Sequence, residues 1–244
     1  MESCDECRTF MPISKRMKSF FTEREKYGLE WRMIQYSIGA IGLLILLLEV
    51  VAFSVWRENT LFLKQMPWLV YLVITVCVVL GALWHVRAHK VNVSSMMGMM
   101  IGMVLGMQAG VMMSVVIGST NGMFMGSVMG LLFGVTVGVY AGRCCGLMGV
   151  LNGAIMGAMG GTMGPMIALM MKVDHILWFM PLFTLLNVLI LWSLNFLVYE
   201  EVVSGKKIAR QGTGFVLFFL SCLIMTIIGV LIIVYGYSSA FAAL

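Results

Sequence analysis

Apolar runs long enough to cross a bilayer dominate the chain, broken by short polar or charged intervals. A membrane helix needs about 20 mainly apolar residues. Seven stretches qualify: about 33–55, 67–86, 96–117, 123–141, 147–171, 176–199 and 214–240. The pattern therefore predicts an all-α, polytopic membrane protein. The first 32 residues are too polar for the apolar core of a signal peptide.

Within this pattern a second period stands out. From Gly98 to Gly146 every fourth position is glycine, with the one exception of Ser114. Helices in lipid associate by close backbone packing, and small residues four apart permit it. Gly98, Gly102, Gly106 and Gly110 mark the third span, Gly126, Gly130, Gly134 and Gly138 the fourth, and Gly149, Gly153, Gly157 and Gly161 the fifth. A glycine-zipper core of three helices follows. Four residues exceed one 3.6-residue turn, so the stripe drifts about 40° per step. Glycines around Ser119-Thr120-Asn121 and around Arg143-Cys144-Cys145 predict very short loops, and Pro165 predicts a kink or break in the fifth span.

The same region, 96–171, holds 18 of the 25 methionines and 18 of the 27 glycines. It divides the chain into a cytoplasmic segment at 1–32, two ordinary spans at 33–95, the Gly/Met region at 96–171 and two ordinary spans at 172–244. The ordinary spans are expected to face lipid and clasp the central three. An internal duplication between the third and fifth spans is only faintly legible.

Composition narrows the function classes. The chain is 61% hydrophobic and 11% charged, against about 25% charged residues in soluble domains. The net charge of +5 is no argument for nucleic acid, because topology accounts for it. With seven spans and a cytoplasmic N-terminus, thirteen Lys and Arg lie inside and only Arg57, Lys64 and Lys172 outside. The positive-inside rule then places the protein in the cell membrane with the C-terminus out. No phosphate loop, metalloprotease HExxH or GxSxG motif appears, so no enzyme is predicted.

Candidate chemistry rests on sulfur. Met96, Met100, Met103 and Met107 follow helical spacing in the third span. Met156, Met159, Met163, Met166 and Met170 do so in the fifth. Each set shares one helix face. Methionine packs as a flexible hydrophobe, and its thioether is also a soft ligand suited to Cu(I). A cytoplasmic set for metal capture is read from Cys4, Cys7, His85, His89, Cys144 and Cys145. Cys77 and Cys222 read as small hydrophobes inside spans. Glu49 is an acid well inside a span and a candidate ion or proton relay, while Gln108, Asn152 and Asn187 are polar points that can bond neighbouring helices.

These features point to transport or homeostasis of a soft metal ion, Cu(I) foremost, through a methionine-lined core, with the bilayer and the ion as partners. The alternatives are a glycine-zipper ion channel, gated by membrane tension, and a membrane scaffold or assembly factor. Glycine faces would join copies of the chain or a partner membrane protein.

The topology has a direct test. An impermeant thiol reagent applied to intact cells is expected to leave Cys4, Cys7, Cys144 and Cys145 unlabelled. Labelling from outside would invert the orientation.

Overall fold

The computed structural model describes residues 28–55, 60–88, 95–143, 146–173, 176–203 and 215–236. They form seven helices: α1 (Gly28–Val55), α2 (Thr60–Ala88), α3 (Ser95–Asn121), α4 (Met123–Gly142), α5 (Gly146–Val173), α6 (Ile176–Val203) and α7 (Phe215–Tyr235). Six are long and apolar enough to cross a membrane. The seventh, α1, carries a shorter apolar stretch, Gln35–Val50. The described part is an all-helical, multi-pass membrane protein.

Hydroxyl and amide side chains fit that environment. In lipid a polar group must find its partner within the protein. Thr136 donates to the Leu132 carbonyl at 2.8 Å and Thr162 to the Met159 carbonyl at 3.0 Å, although both lie on exposed helix faces. Ser221, Thr226 and Asn187 each donate to a carbonyl three or four residues back, at 2.7 Å.

Glycines of the four-residue period lie at backbone range of one another. α3 and α5 run parallel in direct contact, and α4 packs antiparallel against both. A Cβ added at Gly106 would lie 2.7 Å from the Gly153 carbonyl and 3.0 Å from the Gly138 Cα. One at Gly110 would lie 2.7 Å from the Gly157 carbonyl, and one at Gly134 would lie 2.8 Å from the Gly110 Cα. The contacts stack in layers: Gly102, Gly142 and Gly149; then Gly106, Gly138 and Gly153; then Gly110, Gly134 and Gly157; then Ser114, Gly130 and Gly161. The last layer joins Gly118 and Gly126 to Pro165. In each glycine layer the α-hydrogen takes the place of a side chain and points at a neighbouring carbonyl, the arrangement of weak Cα–H···O contacts.

Three expectations need correction. Pro165 does not break α5, which is helical from Gly146 to Val173. Its ring fills the last layer, where α3 and α4 both offer glycine. The Ser119-Thr120-Asn121 stretch is the end of α3, not a loop. Ser119 donates back to the Val115 carbonyl at 2.7 Å. The turn to α4 is Gly122 alone, at a φ of 96° that favours glycine.

The four ordinary helices also do not clasp the other three. α3 is the most deeply buried helix and α2 comes next; α4 and α5 are less buried, and α7 and α6 least, so these last two present most of their surface outward as expected. The molecule is built on α3, with α4 and α5 on one flank and α2, α6 and α7 packed on the other. α2 was expected to face lipid. Instead it packs on α1, α3, α6 and α7, and its Leu69, Leu72, Val73, Val76 and Val79 are fully buried.

A matched pair of substitutions tests the packing. At Gly153 a Cβ would fall on the Gly138 carbonyl, while at Gly39 it would meet nothing within 4 Å. Gly153→Ala is expected to destabilise by about 1–3 kcal/mol, as overpacking against rigid atoms does. Gly39→Ala is expected to be neutral or stabilising by up to about 1 kcal/mol, the helix-propensity difference. Thermal unfolding of purified protein in one detergent measures both. Equal effects would show that the ladder is not a packing surface.

Candidate metal-handling face

Backbone contact between the glycine faces decides where the methionines go. The sides of α3, α4 and α5 that meet have no room for long side chains, so the thioethers turn outward. Met96, Met100 and Met107 of α3 are exposed, with Met103 half-buried. In α5, Met159, Met163, Met166 and Met170 are exposed, at 44–61%, and Met156 is half-buried. Within one chain the methionines therefore form an outer surface and do not line a central path between the three helices.

That surface is ordered. Gly160 of α5 sits on the backbone of Met107 of α3. The register that pairs Gly106 with Gly153 and Gly110 with Gly157 sets the levels of the two helices. The α3 methionines run from the start of α3 up to this crossing, and the α5 methionines continue from the crossing to the end of α5.

Both sets lie on the same side. At 100° per residue, each set occupies an arc of roughly 80° or less. Around α5, Gly157 and Gly161 face α4, Gly160 faces α3, and the methionines follow on the side away from α4. Around α3, Met107 lies under α5, also away from α4. End to end the two sets cover roughly 35 Å at 1.5 Å per residue, comparable with a hydrocarbon core of about 30 Å.

Ser114, the exception in the glycine period, marks the layer beyond the crossing. Its hydroxyl is within bonding range of the Val111 carbonyl at 3.1 Å and the Gly160 carbonyl at 3.4 Å. It thus links α3 to α5 where the methionine sets meet. At the end of α3, Asn121 donates from Nδ2 to the Ile232 carbonyl of α7 at 3.0 Å, and Thr120 donates to Asn121 Oδ1 at 2.7 Å. The sequence reading missed this latch, because the residues were taken for a loop. Three consecutive hydrogen-bonding side chains at the end of an apolar run were the available signal.

The remaining candidates separate. Cys4, Cys7, His89, Cys144 and Cys145 lie outside the described residues. His85 is buried near the end of α2. Among the described residues no three of His, Cys, Asp and Glu come together. Glu49 sits on the exposed side of α1, next to the buried Leu48. Asn187 bonds within its own helix, and Gln108 and Asn152 are half-buried. Two arginines lie over aromatic rings at helix ends: Arg87 at 5.1 Å from the Trp84 ring and Arg143 at 6.0 Å from the Tyr140 ring. Such pairs suit the membrane interface, where a cation can leave the apolar layer.

Fold and surface together define a multi-pass helical membrane protein with a thioether-rich outer face. No family model matches the chain, and neither do curated proteins or solved structures.

The latch yields a prediction. Asn121→Ala removes the bond to α7, and Asn121→Leu removes the donor while nearly keeping the volume. Both are expected to cost about 0.6 kcal/mol, the average for interhelical hydrogen bonds in membranes, and up to about 1.7 kcal/mol. Thermal unfolding of the purified protein in one detergent should register this loss. Unchanged stability in both variants would refute the latch.

Proposed function

We propose that this protein handles a soft metal ion, with Cu(I) the preferred cargo, along the methionine surface of α3 and α5. The observation that carries the reading is the end-to-end register of the two methionine sets at the Met107–Gly160 crossing. Nine thioethers would follow one another along roughly 35 Å of the two helices, against a hydrocarbon core of about 30 Å. Thioether sulfur is neutral, weakly binding and soft. A cation can therefore pass from one group to the next without being held tightly at any.

The surface is open on its outer side, so a closed conduit needs a second wall. A second copy of the chain or a partner membrane protein would supply it. The proposed orientation is N-terminus in, C-terminus out, in the cell membrane. It places the α3 methionines at the cytoplasmic end, beside the capture set read from Cys4, Cys7, His85, His89, Cys144 and Cys145. The role is transport or homeostasis without catalysis.

A glycine-zipper channel is the alternative. The layers between α3, α4 and α5 are filled backbone on backbone. A pore there would require the three helices to separate.

Leucine replacement at Met156, Met159, Met163 and Met166 separates ligand from filler. Apolar volume is nearly conserved, at a usual cost under about 1.5 kcal/mol per site, but leucine has no lone pair to donate. The variant is expected to fold and to lose most Cu(I) and Ag(I) uptake into proteoliposomes. Uptake equal to that of the unaltered protein would make the methionines apolar surface and remove this function. Ion conductance that persists without metal selectivity would favour the channel.

A further inference from the structure

Asn152 extends the methionine row of α5 by one turn. Positions 152, 156, 159, 163, 166 and 170 step +4, +3, +4, +3, +4 and share one arc of the helix. Asn152 falls inside the apolar stretch Gly146–Lys172. Its neighbour Gly153 packs level with Gly106, near the middle of α3. The Asn152 side chain is half-buried, and among the described residues it has no hydrogen-bond partner. Asn121 and Asn187, by contrast, donate to carbonyls at 3.0 and 2.7 Å. Lipid tails supply neither donor nor acceptor, so an unbonded carboxamide among them is costly. Its partner must come from outside the chain.

We infer that two copies of the chain pair through α5, with Asn152 Nδ2 of each copy donating to Asn152 Oδ1 of the other. A carboxamide carries both donor and acceptor, so it is complementary to itself. Copies in one membrane share an orientation, and a two-fold axis along the membrane normal brings identical residues to equal depth. Asn152 therefore meets Asn152 without further coincidence. A different protein would need its own polar side chain at that level. No charged residue lies between Gly146 and Met171, so nothing on this face repels a second copy. The glycine faces cannot serve, because backbone fills them within each chain. Methionine is flexible enough to pack on its own kind across such an interface. The pairing makes a second copy the second wall of the proposed conduit, yet it rests on the amide and not on metal binding.

The test uses the metal-free full chain in lipid vesicles, with Cys4, Cys7, Cys144 and Cys145 replaced by serine. Energy transfer between chains labelled at the C-terminus, followed as lipid is added, measures dimerisation. Asn152→Leu loses both bonds and is expected to weaken the dimer about tenfold, or about 0.7 kcal/mol for each bond. Asn152→Gln keeps the amide and is expected to keep most of the affinity. Cross-linking locates the interface and needs no change at Asn152. Met148→Cys, at a position 65% exposed one turn before Asn152, should join two copies through a short bifunctional thiol reagent. Phe124→Cys, at a position 76% exposed on α4, should not. A chain that is monomeric at every protein-to-lipid ratio, a dimer unaffected by Asn152→Leu, or cross-linking at 124 and not at 148 would each overturn the pairing. A dimer that carries no Cu(I) would refute the metal reading alone, and a monomer that carries it would refute the pairing alone.

Discussion

The controlling constraint is contact between helix backbones. Three helices approach so closely that a methyl group at Gly138, Gly153 or Gly157 would land on a neighbouring carbonyl. In water such a glycine content would cost helix stability, about 1 kcal/mol per residue against alanine. In lipid the alternative is an unbonded backbone, which costs more, and close packing replaces the hydrophobic effect as the cause of association. The four-residue step also shapes the bundle. Contacts over five layers, from Gly102 to Gly118 on α3, sweep roughly 160° around the helix. α4 and α5 must therefore wind about α3, and they leave its other side free for α2, α6 and α7.

The methionine surface is a consequence of that constraint. If the meeting faces hold only α-hydrogens, every long side chain of α3, α4 and α5 is forced to the outside or toward the second group of helices. Met112 and Met113 take the second course and are buried. The methionines on helical spacing take the first. A packing role alone does not explain why an outward surface should be rich in methionine when α6 and α7 cover theirs with leucine and isoleucine. The exposed thioethers are where packing and chemistry can be told apart.

Legibility in the sequence follows the same physics. The glycine period was readable because close backbone approach forbids side chains, so the pattern records the contact itself. The methionine faces were readable as periods, but not their direction. Spacing fixes which residues share a face and is silent on what the face meets. The depth of α2 was unreadable because leucine and valine serve equally against lipid and against another helix. Pro165 was misread from its usual effect on helices. Its ring fits here because Gly118 and Gly126 vacate the space opposite it.

Sulfur appears in two chemical settings that differ in charge behaviour. A thioether is neutral whether or not it holds a metal, so a line of methionines leaves a cation's charge unbalanced and the ion mobile. A thiol can release its proton on binding, so it can cancel the charge of the ion it takes. In a low-dielectric layer that difference separates passage from retention. On the proposed function, the outward methionines of α3 and α5 would serve as a route.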